Sequence, residues 1–351
     1  MPHHNPLCHS MLRRCHNWDY CAPAIYMITL TLADRSRPLL GRVEAVLPDG
    51  GFPCPPEAVK AKFIASELGK AILNHWMAFQ AFSPGIAPLY LQLMEEHLHG
   101  ILQVTQRLSR PLGNAIGGFK AWCNKHFQQI TGIESVPLFS PGFQDTILMH
   151  EKQLARMFAY LHDNPRRLAV KRLFPNLFTL TGLLPFGDGA FAGFGNRFLL
   201  DRPLLHRIQV SRSISLESNV FSETRQAMLK AIGRGAVIVS PCFSMGEKEL
   251  ARQAFDLEAP LIVMRNNGFP PLYKPPGKYF DACAQGRLLM LTPSGWPFVP
   301  GHVKLTREKA CVLNELARQV TREQDTPIRY AGWVPDDMNG LLKAAMRPAQ
   351  I

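Results

Sequence analysis

The sequence predicts an α+β chain built in two parts, and three observations predict it. Before residue 175, strand-like and helix-like runs follow one another in the order β-α-β-β-α-β. That order describes an open antiparallel sheet with helices on one face. After Arg172 the composition changes, and a strand, helix, strand, helix, strand series follows, as expected of an α/β domain. With 351 residues, the chain is long enough for two domains of ordinary size.

Residues 1–20 have little periodicity and are expected to be a leader. Ile25-Tyr26-Met27-Ile28-Thr29-Leu30-Thr31 is rich in β-branched and aromatic residues and predicts the first strand. Over residues 56–80, Val59, Phe63, Ile64, Leu68, Ile72, Leu73 and Trp76 share one broad face, which predicts a helix. A strand pair is expected around 87–104 and a helix over 114–127. A loop with Pro137, Pro141 and Gly142 leads to a second amphipathic helix over 151–162. Asn164-Pro165 is expected to stop or bend that helix, because the residue before proline avoids the α region.

The glycine-rich run 185–195 predicts a linker or loop. Ala236-Val237-Ile238-Val239-Ser240 is a continuous apolar run of the kind found in buried parallel strands. A helix over 247–257, a strand over 260–264, a helix near 279–284 and a strand over 287–291 follow. The expected division is a leader at 1–20, a first domain at 21–175, a linker at 176–200, a second domain at 201–325 and a tail at 326–351.

Hydrophobic residues make up 46% of the chain and charged residues 19%, which excludes a mostly disordered or collagen-like chain. No apolar run approaches the ~18 residues that cross a bilayer. The opening residues lack the apolar core of a secretory signal, so a cytoplasmic, nucleoid-associated protein is expected. The net charge is +12, from 18 basic and 12 acidic residues up to Pro175 and 21 and 15 after it. An excess spread evenly over the chain favours a polyanionic partner, nucleic acid first. None of the eight cysteines forms a CxxC pair, and free thiols are expected in a reducing compartment. Cys8-His9, Cys15-His16 and Cys21 gather possible zinc donors, but their spacing fits no common zinc pattern.

The chemistry concentrates in two segments. In Glu95-Glu96-His97-Leu98-His99-Gly100, strand alternation points His97 and His99 to one face and Leu98, Leu102 and Val104 to the other. Two adjacent neutral imidazoles are half of a divalent-metal site. In the second segment, Tyr160 and Asn164 are four residues apart and share a helix face. A tyrosine hydroxyl is a competent nucleophile once a nearby cation stabilises its anion. Asn164 offers a carbonyl oxygen as a third hard ligand. Arg166, Arg167, Lys171 and Arg172 follow as a group suited to phosphate contacts.

The combination resembles the single-tyrosine HUH transposases, most closely their REP-associated tyrosine transposase branch. That family carries a strand-borne His-hydrophobic-His and, about 60 residues later, a helix ending Tyr-x-x-x-Asn-Pro. His97-Leu98-His99 and the run from Tyr160 to Pro165 match both. Asn114 to Lys120 looks like the family's middle helix, Phe139 to Leu148 with Asp145 like the approach to the tyrosine helix, and Tyr26 to Leu30 like the opening strand. The resemblance covers roughly residues 20–172. Glu95-Glu96 stands where the family usually has Pro-Asp, and 45–90 is longer and more proline-rich than the family needs.

The resemblance implies a ferredoxin-like HUH domain with an antiparallel sheet. It implies that His97, His99 and Asn164 bind Mg2+ or Mn2+ and that Tyr160 attacks single-stranded DNA bearing hairpins. The product is a 5′-phosphotyrosine link and a free 3′-hydroxyl. A second 3′-hydroxyl then reverses the step without ATP, which is the strand transfer that transposition needs. Lys120, Arg166, Arg167, Lys171 and Arg172 are the implied DNA contacts, and the protein is expected to be a monomer or homodimer. The alternative is a non-catalytic nucleic-acid-binding protein on the same scaffold.

In the second domain, Ser240-Pro241-Cys242-Phe243-Ser244-Met245-Gly246-Glu247 joins a strand to a helix start through a small-residue turn. Such turns hold phosphate on helix N-terminal N–H groups. The segment resembles, distantly, the Rossmann-like α/β core of DNA-processing protein A and its nucleotide-binding relatives. Tyr273-Lys274-Pro275-Pro276-Gly277-Lys278 adds an aromatic-basic loop of the sort that contacts nucleic acid. A DNA-binding accessory role, a purely structural role and a nucleotide site all remain open for this domain.

Overall fold

The computed structural model describes residues 15, 18–52, 54–301, 303–322 and 335–347. They form two compact units, the first comprising residues up to Cys54 and Ala58–Val170, the second Pro55–Glu57 and residues from Lys171 onward. The fold is α+β, with antiparallel sheets in the first unit and a sheet containing parallel strands in the second. Cys8, His9 and His16 lie outside the described residues, while Cys15 and Cys21 carry free thiols.

The first unit runs β1 (Ala24–Thr31), β2 (Gly41–Val46), β3 (Lys60–Ala65), α1 (Glu67–Met77), α2 (Phe79–Phe82), β4 (Ile86–Leu93), β5 (His97–Val104), α3 (Leu112–Thr131), β6 (Gln144–Leu148) and α4 (Glu151–Leu173). Four strands form an antiparallel sheet in the order β4-β5-β1-β6. Alternation explains its two faces. Tyr26, Ile28 and Leu30 of β1 and Leu98, Leu102 and Val104 of β5 are buried in one core with Leu68, Ile72 and Trp76 of α1 and Ile116, Phe119 and Cys123 of α3.

Gly100 is the point of closest approach. A Cβ there would run into the indole of Trp76. The same indole donates from Nε1 to the carbonyl of Tyr90 on β4 at 3.1 Å. Ser66 starts α1 by accepting from the Gly69 N–H at 2.9 Å, the usual role of an N-cap hydroxyl.

Two expectations are corrected here. The helix expected over 56–80 begins only at Glu67. Lys60–Ala65 is instead a strand paired with β2, with Lys60 and Lys62 exposed and Ala61 and Phe63 half-buried. The spacing of Val59, Phe63 and Ile64 imitated a helical face, but the lysine alternation was the true period. Of the stop or bend expected at Pro165, the stop is excluded, because α4 continues to Leu173. Pro165 has no N–H for the Leu161 carbonyl, but both residues are buried, and tertiary packing carries the helix through.

His75 lies within a stack of aromatic rings on the helical side of the sheet. Its centroid is 3.8 Å from Trp122 and 4.3 Å from Phe82, and Trp122 lies 4.9 Å from His126. Burial, and secondarily the positive potential of His126, hold the His75 pKa below its ordinary value.

The second unit comprises β7 (Leu180–Phe186), β8 (Gly189–Gly195), β9 (Leu205–Arg207), α5 (Asn219–Gly233), β10 (Val237–Ser240), α6 (Met245–Asp256), β11 (Leu261–Met264), α7 (Lys278–Ala284), β12 (Leu288–Pro293), α8 (Arg307–Val320) and α9 (Met338–Met346). Its sheet has the order β7-β8-β12-β11-β10-β9. Strands β9 to β12 are parallel, and β8 and β7 add antiparallel. All residues of β10 and β12 are buried, as expected of central strands covered on both faces.

Residues 176–200 are therefore not a linker. Their glycines permit close strand packing, since a Cβ on Gly195 would collide with the Leu288 carbonyl of the neighbouring strand. The expected tail likewise contains α9, which buries Ala345 and Met346 against the sheet's core.

Two stability predictions follow from the first unit. Gly100→Ala should lower unfolding free energy by about 2 kcal/mol through overpacking against Trp76, read as a lower denaturation midpoint at constant m-value. His75 contributes stability that is fully present above its unfolded pKa of about 6.5 and is lost as pH falls below it, because the fold prefers the neutral ring. His75→Phe should therefore show a smaller fall in Tm between pH 7.5 and 5.5 than the parent chain.

Candidate functional site

The face of the first sheet opposite Trp76 carries the polar residues. β5 presents His97 and His99, whose ring centroids lie 4.7 Å apart at a steep angle. The register sets Thr31 of β1 opposite His97, and Thr29 of β1 and Gln92 of β4 opposite His99. Thr29 Oγ1 lies 2.8 Å from His99 Nδ1. When Nδ1 carries the proton and Thr29 accepts it, the imidazole lone pair sits on Nε2, the tautomer of a metal-bound histidine. Thr29 is a site residue that sequence reasoning missed, because a strand threonine has no signal until register supplies its partner.

Helix α4 brings the second segment to this face. Phe158 meets Tyr90 edge-on at 5.5 Å, and the Tyr160 ring lies 6.5 Å from that of His99. Tyr160 is 41% exposed and open to solvent. Asn164, one turn further along, is buried. The Arg167 guanidinium lies 5.5 Å from the Tyr160 ring centroid, a cation-π contact. Arg167 thus stands against the tyrosine itself, in addition to its expected place among the phosphate-facing cations.

The other expected cations separate. Arg166 forms a two-pronged ion pair with Asp163, at 2.6 and 3.1 Å, within α4. Lys171 is half-buried, its Nζ 5.7 Å from the Phe280 ring centroid, and Arg172 is exposed. Lys120, expected on DNA, instead donates to the carbonyls of Ser140 at 2.6 Å and Gly142 at 2.9 Å. Burial lowers its pKa, and it brackets the loop ahead of β6. Glu95 is structural as well, accepting from the Val43 N–H at 2.8 Å.

Among the described residues, no group of three or more His, Cys, Asp or Glu side chains gathers as a metal site. A divalent cation on this face would take two imidazoles and need an amide oxygen, Asn164 on the tyrosine helix, as its third protein ligand. Two imidazoles and one amide oxygen would make a mixed nitrogen and oxygen donor set.

In the second unit, the turn between β10 and α6 is already filled. The Glu247 carboxylate accepts from the backbone N–H groups of Phe243 and Ser244, both at 3.1 Å, and Val210 at 3.3 Å. Ser244 completes a capping box with it. Burial raises the Glu247 pKa, and the three N–H bonds oppose the shift. The donors that would cradle a phosphate at this helix start hold the chain's own carboxylate.

No family model matches the chain, and no curated protein matches it. Among solved structures, it is similar to a REP-associated tyrosine transposase bound to a REP hairpin, at 15% identity and a TM-score of 0.30. That overlap covers 43% of this chain and 72% of the other. It is also similar to a candidate transposase from Deinococcus radiodurans R1, at 11% identity and a TM-score of 0.26, covering 43% of this chain and 95% of the other. Scores of this size do not establish a common fold. Among the described residues, no helix is long and apolar enough to cross a membrane.

The Thr29 contact can be tested without any ligand. Thr29→Val keeps the volume and removes the hydroxyl, so the 15N shifts of the His99 ring should move toward a mixture of tautomers. Unchanged shifts would show that Thr29 does not orient the ring.

Proposed function

We propose that the chain is a metal-dependent DNA transposase of the HUH single-tyrosine class. It cleaves and rejoins single-stranded hairpin DNA through a 5′-phosphotyrosine intermediate. The observation that carries this reading is the meeting of Tyr160 with the His97–His99 pair on the open face of an antiparallel sheet. The strand order β4-β5-β1-β6, with two helices on one side, agrees with a ferredoxin-like plan for this half. The second unit is then a Rossmann-like α/β accessory domain. The net charge of +12 suits a polyanionic substrate.

In this mechanism the Tyr160 oxygen attacks the scissile phosphorus in line. An O–P bond to tyrosine forms, the P–O3′ bond breaks, and the departing 3′-oxygen takes a proton. Arg167 places a positive charge beside the Tyr160 ring, and Thr29 holds the His99 ring in the ligating tautomer. His97, His99 and Asn164 would hold magnesium or manganese, which would supply charge neutralisation at the phosphoryl oxygens. The bond energy is retained in the phosphotyrosine, so attack by another 3′-hydroxyl restores a phosphodiester and frees Tyr160.

The test incubates the protein with manganese and hairpin-bearing single-stranded DNA and runs the products on a denaturing gel. A covalent protein–DNA band is expected, with its rate falling by about three orders of magnitude or more in Tyr160→Phe and a loss also in His97→Ala. Cleavage that survives Tyr160→Phe would overturn the assignment of the nucleophile. Binding without covalent product across metals and substrates would identify a non-catalytic nucleic-acid-binding protein.

A further inference from the structure

We propose that the carboxyl edge of the parallel strands in the second unit binds a phosphate group, with Arg265 and Thr292 as its ligands. Arg265 directly follows β11, and its N–H donates to the Leu291 carbonyl of β12 at 2.7 Å, which extends the ladder by one rung. Arg265 and Thr292 therefore stand side by side on neighbouring strands. Alternation puts both on the sheet face that carries Val263 and Met290.

Both side chains lack the partners that burial demands. Arg265 Nη1 and Thr292 Oγ1 are buried and, among the described residues, have no hydrogen-bond partner. The Arg265 guanidinium instead lies 4.4 Å from the Phe269 ring centroid and 5.1 Å from that of Tyr273. Two aromatic faces orient a cation but do not supply an acceptor for the buried Nη1. Burial also holds the Arg265 pKa below its ordinary value. A partly buried cation with one unmet N–H group, on the strand beside an unmet hydroxyl, is costly to the protein alone and is relieved by a ligand with several acceptor oxygens.

A phosphate is the ligand that fits. Its oxygens can accept from the guanidinium and the threonine hydroxyl together, and it supplies the missing negative charge. The location agrees with the general rule that open α/β sheets bind ligands beyond the carboxyl ends of their strands. It also accounts for the turn after β10, where Glu247 fills the helix start and leaves the next strand to supply the anion's donors. Tyr279, 44% exposed, lies near Arg265. With Tyr273 it offers ring surface beside the phosphate. The ligand class is accordingly a nucleotide phosphate, either a free nucleoside monophosphate or the 5′-phosphorylated end of a strand.

The test titrates the full chain by calorimetry with inorganic phosphate, AMP, a 5′-phosphorylated oligothymidylate and its unphosphorylated twin. Binding of AMP or of the phosphorylated strand beyond its twin is expected, and whichever binds more tightly identifies the source. Arg265→Met should weaken that binding by about tenfold or more, as expected for loss of a charge-assisted hydrogen bond. Thr292→Val preserves volume and should weaken it severalfold, which keeps the test decisive if Arg265→Met fails to fold. Inorganic phosphate matching AMP would overturn the nucleotide assignment. No phosphate-dependent binding by the parent chain, or binding undiminished in both variants, would overturn the site.

Discussion

The seating of Trp76 on Gly100 constrains most of the first unit. One indole fills the space above a glycine of β5, donates to a carbonyl of β4, and meets Phe79 and Phe119 edge-on at 5.5 and 5.1 Å. Those contacts tie α1, α2 and α3 to two strands at once. Strand side chains alternate with period two, so placing Gly100 under the indole sends His97 and His99 to the opposite face. A slip of one residue would bury the imidazoles and expose Leu98 and Leu102, and the core would lose both leucines. The position of the histidine pair is thus enforced by hydrophobic packing on the other side of the sheet.

The open face depends on α4 in a different way. Its second half is buried around Leu161, Pro165 and Val170, whereas Tyr160 is left toward solvent. Proline at position 165 costs the helix one hydrogen bond, but the buried side chains on either side hold the segment in helical form. Arg167 adds a positive charge beside the tyrosine, whereas Arg166 is paired with Asp163.

The second unit meets its buried charges by two contrasting means. Glu247 is wholly buried and is satisfied by three backbone N–H donors, a self-contained arrangement that stabilises the start of α6. Arg265 is flanked by aromatic rings, and its buried Nη1 has no acceptor among the described residues. The first is what a structural charge looks like. The second is an open valence, which is the physical basis for placing a ligand on β11 and β12 rather than at the turn after β10.

Much of this was legible in the residues. The His-x-His alternation, the Tyr160–Asn164 spacing and the apolar runs 236–240 and 260–264 report local periods, and local periods survive folding. The segment 60–65 was not legible, because a strand beside a helix can imitate a longer helix until its partner, β2, is known. The glycine-rich strands β7 and β8 were hidden for a related reason: small residues favour loops in isolation and close packing in a sheet. Lys120 read as a surface cation, and only the approach of Ser140 and Gly142 turned it into an internal bracket. The sequence by itself determined which residues alternate, which share a helix face and how much charge the chain carries, since these depend on covalent order alone. Tertiary structure alone decided that Thr29 meets His99, that Arg167 meets Tyr160, that Glu247 fills its own turn and that the buried Nη1 of Arg265 lacks an acceptor among the described residues. Each of these rests on groups brought together by register or helix docking, and register and docking are settled by the packing of the whole core.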